Sequence, residues 1–254
     1  MYGTLFTSPR AEPEVAALLI EGSGGREPSY LAEPLAGQGI AALSLAYFGR
    51  DGLPACLGAI ELGYFRVALS WLRAQLGSPL RRVVVVGQSR GSEAALLAAI
   101  HFSDLVDAVV VTVHSNVVLG GYPTGGPAWL LDGAELPYAQ QVGPDCEDPA
   151  AAISVERVAG PIMFVSAGAD EIWPSAAMAR AMSQRLCRHG DQPGRLLLEY
   201  PDATHSLGYL LPRLPAALIH SDLDDPAATQ AARADAWPRV LRFIGQPNGD
   251  VSHP

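Results

Sequence analysis

The sequence predicts an α/β fold, in which a mostly parallel central sheet is covered by helices on both faces. Short runs that are apolar at every position alternate with longer amphipathic or alanine-rich runs along the chain. Runs that are apolar on both sides are typical of parallel strands buried between two layers of helices. The chain has 254 residues, of which 49% are hydrophobic and 17% charged, and it is long enough to bury one such core. We therefore expect residues 1–254 to form a single domain.

The individual elements follow from the same alternation. The predicted strands cover residues 15–20, 40–45, 83–86, 108–113, 162–165 and 196–200. The predicted helices cover residues 28–36, 60–76, 92–101 and 175–189, and a last Ala-rich helix lies within 225–245. Strands separated by helices of this length predict right-handed crossovers between parallel neighbours.

One connection is much longer than the others. After the strand from Ala108 to Val113, residues 114–155 are rich in Gly, Pro and aromatic side chains. A long segment of this kind in a compact domain indicates a lid or a binding loop, so we assign it to the substrate pocket. An irregular structural excursion is the alternative. Candidate pocket residues are His114, which could instead be a core histidine, and the aromatic residues Tyr122, Trp129 and Trp173.

Composition excludes several functional classes. A net charge of −9, with no lysine in the chain, disfavours nucleic acid as a partner. No apolar run reaches the length of a membrane span, and the first residues lack the basic and apolar regions of a secretion signal, so we expect a cytoplasmic location. Cys56, Cys146 and Cys187 are odd in number and widely spaced, which argues against disulfides and a zinc site.

The most informative motif is G-x-S-x-G at residues 87–91. It follows a run of four valines and precedes an Ala/Leu-rich helical stretch, which is the strand–turn–helix setting of a nucleophile elbow. Gly87 and Gly91 would let the chain reverse sharply, and the turn would expose the hydroxyl of Ser89 above the sheet. The backbone N–H of Arg90, at the start of a helix, would become an oxyanion donor.

A serine nucleophile needs a base and a carboxylate that orients it. In hydrolases built on such sheets, these residues follow the serine in the order acid, then histidine. Asp170 follows the strand 162–165, and His205 follows the next strand, so both are predicted at the edge of the sheet that carries Ser89. Glu171 is the alternative acid. The glycine-rich loop after the strand 15–20 offers the second oxyanion donor, with Ser23 N–H as first choice and Gly24 as second.

Several strings around these residues resemble the catalytic domain of the bile acid-CoA:amino acid N-acyltransferase and acyl-CoA thioesterase family. They are GSGG at 22–25, ALSLAYFG at 42–49 with LP at 53–54, GYF at 63–65, the elbow, AW to LP at 128–137, and IWPS at 172–175. The resemblance implies an α/β-hydrolase fold, a covalent acyl-enzyme and thioester substrates, with Ser89, Asp170 and His205 as the triad. Thr204 stands where the family has glycine, and the chain leaves no room for the N-terminal β-sandwich of the larger members.

These observations together predict a serine hydrolase that cleaves an acyl thioester of CoA or of an acyl-carrier protein, with no metal or redox cofactor. Serine at position 89 favours hydrolysis, because the amino-acid-conjugating members of the family use cysteine. An acyltransferase to an amine or alcohol, a carboxylesterase and a lactonase remain alternatives with the same triad. A CoA ligand would call for nearby arginines, such as Arg26 or Arg50. A non-catalytic binding protein would not require three chemically competent residues in this order.

Overall fold

The computed structural model describes residues 1–9, 12–77, 80–140, 149–190, 194–218 and 225–246. Its main sheet has seven strands in the order β1-β3-β2-β5-β6-β9-β10. The strands are β1 Tyr2–Phe6, β2 Val15–Ile20, β3 Ala41–Ala46, β5 Arg82–Gln88, β6 Ala108–Thr112, β9 Ile162–Ala167 and β10 Arg195–Tyr200. All neighbouring pairs are parallel except β1 and β3, which are antiparallel.

Within the described residues, five α-helices cover the two faces of this sheet. They are α1 Ser29–Gly37, α2 Gly63–Leu76, α3 Arg90–His101, α4 Ser175–Arg188 and α5 Ala227–Gly245. Apolar residues of α2, α3 and α4 contribute to the hydrophobic cluster on one face, and those of α1 and α5 to the cluster on the other. The fold class predicted from the sequence is therefore confirmed.

Alternation along the strands explains why both faces are apolar. In β2, Leu18 and Ile20 join the cluster under α2 and α3, whereas Leu19 joins the cluster under α1 and α5. Successive side chains of a strand point to opposite faces, so a strand buried on both sides must be apolar at every position. This is the reason that unbroken apolar runs marked the strands in the sequence.

Two parts of the sheet region differ from the sequence prediction. The edge strand β1 was not predicted, because its first residues are exposed and its place in the sheet comes from backbone pairing with β3. The predicted helix 60–76 begins only at Gly63, since Ile60–Glu61 form the short strand β4. This strand pairs with β7 Trp129–Leu131, which in turn pairs with β8 Ala134–Glu135.

The described parts of the segment 114–155 pack against the rest of the domain. Val117, Leu119, Ala139 and Ala151 form a small apolar cluster with Trp173 and with Met178 of α4. Backbone hydrogen bonds from Val118 N–H to the Ala151 carbonyl (2.8 Å) and from Ala139 N–H to the Val118 carbonyl (2.8 Å) join three separate stretches of the segment. Residues 141–148 lie outside the described residues, and the assignment of this segment as a lid stays a prediction.

Among the described helices, none combines the length and the apolar character that crossing a bilayer would require. Cys56 and Cys187 are free thiols, and Cys146 lies outside the described residues.

Candidate active site

The turn at residues 87–91 has the strained geometry of a nucleophile elbow. Ser89 has φ 52° and ψ −121°, a left-handed conformation that side chains other than glycine rarely adopt. A Cβ atom on Gly87 would lie 2.5 Å from the Gly91 carbonyl oxygen, and one on Gly91 would lie 2.4 Å from the carbonyl oxygen of Glu21. Both positions therefore require glycine, because backbone lies too close for any side chain: that of the elbow itself at Gly87, and that at the end of β2 at Gly91.

Strand β6 holds the elbow from the neighbouring position in the sheet. The backbone N–H of Ser89 donates to the carbonyl of Thr112 at 2.9 Å. The buried hydroxyl of Ser92 lies within hydrogen-bond distance of two carbonyls, those of Gly87 at 2.8 Å and Thr112 at 3.1 Å. The hydrogen bond of Ser89 to β6 and those of Ser92 just after it hold the turn in place, and they compensate for the unfavourable backbone conformation of Ser89.

The structure brings together the three residues predicted as nucleophile, base and acid. Nε2 of His205 lies 3.0 Å from Oγ of Ser89, and Nδ1 of the same ring lies 2.8 Å from Oδ1 of Asp170. Asp170 Oδ1 also accepts the backbone N–H groups of Ile172 (3.0 Å) and Trp173 (3.3 Å). The Asp170 side chain is fully buried and that of His205 is 15% exposed. A carboxylate held in this way favours the tautomer with the proton on Nδ1, leaving Nε2 to accept the serine proton.

Adjacent strand ends account for the meeting of the acid and the histidine. Gly168 N–H donates to the Tyr200 carbonyl at 2.9 Å, and Ala169 N–H donates to the Ala203 carbonyl at 3.0 Å, so the loops after β9 and β10 run together. Glu171, the alternative acid, is exposed and accepts the backbone N–H of His205 at 3.1 Å. Its carboxylate therefore contacts the histidine backbone, whereas Asp170 contacts the ring.

The backbone N–H groups predicted as oxyanion donors belong to the start of α3 and to the glycine-rich loop after β2. Arg90 begins α3, so its N–H has no carbonyl acceptor within the helix. The N–H groups of Ser23 and Gly24 donate no hydrogen bond to another described residue. Their loop lies against the nucleophile, because a Cβ on Gly22 would be 3.0 Å from Ser89 Cβ and 3.4 Å from Ser89 Oγ. These groups could donate to a negative charge that develops beside Ser89.

Two residues that the sequence analysis did not single out shape this glycine-rich loop. The buried carboxylate of Glu21 accepts the N–H of Arg26 at 2.8 Å and lies 3.4 Å from its guanidinium. Burial raises the pKa of Glu21, and the hydrogen bond and charge of Arg26 oppose that rise. The Tyr47 hydroxyl lies 2.8 Å and 2.9 Å from the carbonyls of Glu21 and Gly22. Tyr47 is the tyrosine of the AYFG string, which was the sequence signal for its position.

A buried ion pair connects the elbow helix to the long insertion. Arg90 Nε lies 2.7 Å from Glu93 Oε1, with the Glu93 side chain fully buried. Arg90 donates to the carbonyls of Leu119 (3.0 Å) and Gly120 (2.8 Å), and Glu93 accepts Leu119 N–H (3.1 Å) and Trp129 Nε1–H (2.9 Å). Burial raises the pKa of Glu93, and the charge of Arg90 is the largest influence against it. Two opposite charges in an otherwise Ala/Leu-rich helix were the only sequence signal for this network.

The four candidate pocket residues have different positions. Tyr122 is 57% exposed, and Trp173 lies edge-on to the His205 ring with centroids 5.3 Å apart. Trp129 does not line an open pocket: it is fully buried and stacks on Tyr47, because β7 turns its indole into the core. This corrects the prediction for Trp129.

His114 is also buried completely, so it does not reach an open pocket. Its ring lies 5.0 Å from that of Phe164, and neither ring nitrogen has a hydrogen-bond partner among the described residues. Burial lowers the pKa of His114 to about 3, and the negative charge of Asp170 acts in the opposite direction. His114 is therefore a core histidine, as the alternative interpretation expected, but the described residues do not satisfy its ring nitrogens with hydrogen bonds.

Within the described ranges, no group of three or more His, Cys, Asp or Glu side chains is arranged to hold a metal ion.

Comparisons with known proteins show which proteins this chain resembles. Residues 135–249 match the family model described as BAAT / Acyl-CoA thioester hydrolase C terminal. The chain is 27% identical over 274 residues to the peroxisomal succinyl-coenzyme A thioesterase of Mus musculus, covering 98% of this chain and 63% of that protein. It is 29% identical over 260 residues to the mitochondrial acyl-coenzyme A thioesterase 2 of Rattus norvegicus, covering 95% and 57%. It therefore spans less than two thirds of the length of these relatives.

Solved structures share the fold at low sequence identity. A dienelactone hydrolase from Anabaena variabilis superposes with a TM-score of 0.57 at 20% identity, covering 94% of this chain and 90% of that one. A monoacylglycerol lipase from Paleococcus ferrophilus superposes with a TM-score of 0.57 at 16% identity, covering 96% and 97%. These likenesses show an α/β-hydrolase fold, and the family resemblance predicted from the sequence is confirmed.

Proposed function

We propose that this chain, whose residues 135–249 match the BAAT / Acyl-CoA thioester hydrolase C terminal family model, hydrolyses acyl thioesters through a covalent intermediate on Ser89. The observation that carries the proposal is the hydrogen-bonded chain from Ser89 Oγ through His205 to Asp170, with distances of 3.0 and 2.8 Å. The names of the relatives favour acyl-CoA as the substrate class.

Acylation begins with proton transfer from Ser89 to His205 Nε2 as Oγ attacks the thioester carbonyl carbon. Asp170 accepts the hydrogen bond from Nδ1–H and stabilises the imidazolium that forms. The carbonyl oxygen becomes an oxyanion, which receives hydrogen bonds from the N–H of Arg90 and from that of Ser23 or Gly24. The positive end of the α3 helix dipole acts on the same charge.

The tetrahedral intermediate then loses the thiol. The carbon–sulfur bond breaks, the proton on His205 Nε2 goes to the departing sulfur, and the acyl group remains as an ester on Ser89. A thiol with a pKa of about 8.5 leaves more readily than an amine, so the imidazolium has less to contribute than in peptide cleavage. Deacylation repeats these steps with water in place of Ser89. His205 takes a proton from the water molecule, whose oxygen attacks the ester carbonyl carbon. The bond from that carbon to Ser89 Oγ then breaks, the carboxylic acid leaves, and Oγ receives the proton from His205.

Intact-mass spectrometry with a panel of acyl donors tests this proposal. The wild-type chain is mixed with short- and long-chain acyl-CoA, an acyl-carrier-protein thioester and an aryl ester, each with and without an amine acceptor. We expect thiol release and a mass increase equal to one acyl group, absent in Ser89→Ala, whose rate should fall roughly 10⁴-fold or more. If the acyl group passes to the amine rather than to water, the protein is an acyltransferase and not a hydrolase. If folded Ser89→Ala releases thiol at the wild-type rate, Ser89 is not the nucleophile.

Cytoplasmic location stays a prediction for this chain. The two relatives described above carry the words peroxisomal and mitochondrial in their names, and the described helices contain no membrane span. Fractionation of cells that express the full-length protein, followed by immunodetection, would test the location directly.

A further inference from the structure

Helix α5 carries two polar side chains that are completely buried, one helical turn apart. Thr229 and Arg233 are both 0% exposed, and their spacing of four residues places them on one face of the helix. The other buried residues of α5 are Ala232, Ala236, Val240, Phe243 and Ile244. Burial of a guanidinium costs several kcal/mol unless hydrogen bonds and a counter-charge compensate for it. The partners of these two side chains therefore indicate what the helix does.

Thr229 binds the residue that precedes the histidine. The backbone N–H of Thr204 donates to Oγ1 of Thr229 at 3.0 Å, and the two threonine hydroxyls lie 3.2 Å apart. The Thr204 hydroxyl is also 3.0 Å from that of Ser206. Thr204 occupies the position where the family resemblance predicts glycine, so its hydroxyl adds contacts that glycine could not make.

Arg233 binds the residue that follows the histidine. Its Nη1 donates to the carbonyl of Ser206 at 3.3 Å, and its Nε donates to the carbonyl of Leu211 at 2.7 Å. The carboxylate of Asp225 accepts hydrogen bonds from both terminal nitrogens of Arg233, at 2.8 and 2.7 Å. Because Asp225 neutralises the guanidinium, the effect of Arg233 on the neighbouring segment is one of position rather than of charge.

We propose that Thr229 and Arg233 are positioning residues, which hold the backbone on both sides of His205 so that Nε2 stays within hydrogen-bond distance of Ser89 Oγ. This inference rests on the proposed function, in which His205 is the base. The histidine begins a short 3₁₀ helix, His205–Tyr209, which is followed by Leu210 with φ 63°, and its backbone N–H is bound by the exposed Glu171. A displacement of about 1 Å at a reacting group can cost on the order of 100-fold in rate.

Thr229→Val tests the proposal, because it keeps the shape of the side chain and removes the hydroxyl. The measurements are the rate at which a fluorophosphonate labels Ser89, and kcat and KM for acyl-CoA. We expect both the labelling rate and kcat to fall about tenfold while KM changes less than about twofold, and Thr229→Ser to restore both. Arg233→Lys, which keeps a charge for Asp225 but loses the guanidinium geometry, provides an independent variant and should lower the labelling rate similarly.

Val240→Ala is the matched control for stability, since it shortens a buried side chain of the same helix about two turns beyond Arg233. It should lower the unfolding midpoint and leave kcat unchanged. Folded Thr229→Val and Arg233→Lys proteins that both label at the wild-type rate would overturn the positioning role while leaving the proposed function intact. A wild-type protein that neither labels nor releases thiol would overturn the proposed function, and the positioning role with it.

Discussion

The guanidinium of Arg90 and the carboxylate of Glu93 form an ion pair in the interior, with Nε and Oε1 2.7 Å apart and side-chain exposures of 8% and 0%. The residue whose N–H is the proposed oxyanion donor is therefore tied through its side chain to the insertion that follows β6. Among the described residues, neither of these two side chains hydrogen-bonds to Ser89. Its importance lies in joining the elbow helix to the backbone at Leu119 and Gly120 and to the indole of Trp129.

Removing one partner of this pair should destabilise the fold strongly. We expect Glu93→Leu and Arg90→Met each to lower the free energy of unfolding by about 3–5 kcal/mol, because the remaining charge stays buried without its partner. The double variant should cost less than the sum of the two. Urea denaturation measures all three, with Arg180→Met, in an exposed pair with Glu199, as the control that should cost less than about 1 kcal/mol. The prediction would be contradicted if each single variant cost less than about 1 kcal/mol and the two costs added up in the double variant.

A methyl group on Gly22 should impair activity more than stability. A Cβ at this position would lie 3.0 Å from Ser89 Cβ and 3.4 Å from Ser89 Oγ, inside the proposed oxyanion site. We expect Gly22→Ala to lower kcat by about 10²-fold through loss of oxyanion contacts. Gly37→Ala is the control, because nothing lies within 4 Å of its added Cβ, and it should keep wild-type kcat. Wild-type kcat for Gly22→Ala would show that the loop is remote from the reacting atoms.

Asp170 and Glu171 are adjacent carboxylates, and their variants should differ. Asp170→Asn leaves the His205 ring without its acceptor at 2.8 Å and favours the wrong tautomer, so kcat should fall roughly 10⁴-fold. Glu171→Gln keeps an oxygen that can accept the His205 backbone N–H, so kcat should fall less than about fivefold. Steady-state kinetics at neutral pH compare the two. If Glu171→Gln lost more kcat than Asp170→Asn, Glu171 rather than Asp170 would be the acid that orients His205.

The buried His114 should make the protein sensitive to mild acid. Burial lowers its pKa in the folded state to about 3, whereas the unfolded chain binds a proton near 6.5, so stability falls as the pH decreases between these values. From pH 7.5 to pH 5, we expect the wild-type protein to lose about 2 kcal/mol more than His114→Phe. Urea denaturation at both pH values measures this difference. Equal losses in the two proteins would mean that His114 is protonated in the folded state.

The sequence and the structure agree most closely where periodicity reflects burial. Val83–Val86 and Ile162–Val165 are apolar at every position because both faces of their strands are covered, so the runs predicted strands within two residues of their observed bounds. The strand β1 escaped prediction because its first three residues are exposed, so no unbroken apolar run marks it; only Leu5 and Phe6 pack against the core, and backbone pairing with β3 places the strand in the sheet. The sequence predicts Trp129 in the pocket because it lies in a Gly-rich segment, and nothing in such a segment indicates whether an aromatic side chain faces the pocket or the core.

What the sequence determined by itself is local: the glycines that permit the elbow, the unbroken apolar runs, and the chain order of Ser89, Asp170 and His205. The glycines and the apolar runs follow from steric and solvation rules that act within a few residues. The order of the three residues is a property of the chain itself, and it was interpretable only because hydrolases of this kind share that order. Only the tertiary structure decided which side chains touch, such as Arg90 with Glu93, Tyr47 with the Glu21 carbonyl, and Thr229 with Thr204. Such contacts join residues from different elements, and a buried polar group must be paired with whatever partner the packing brings to it.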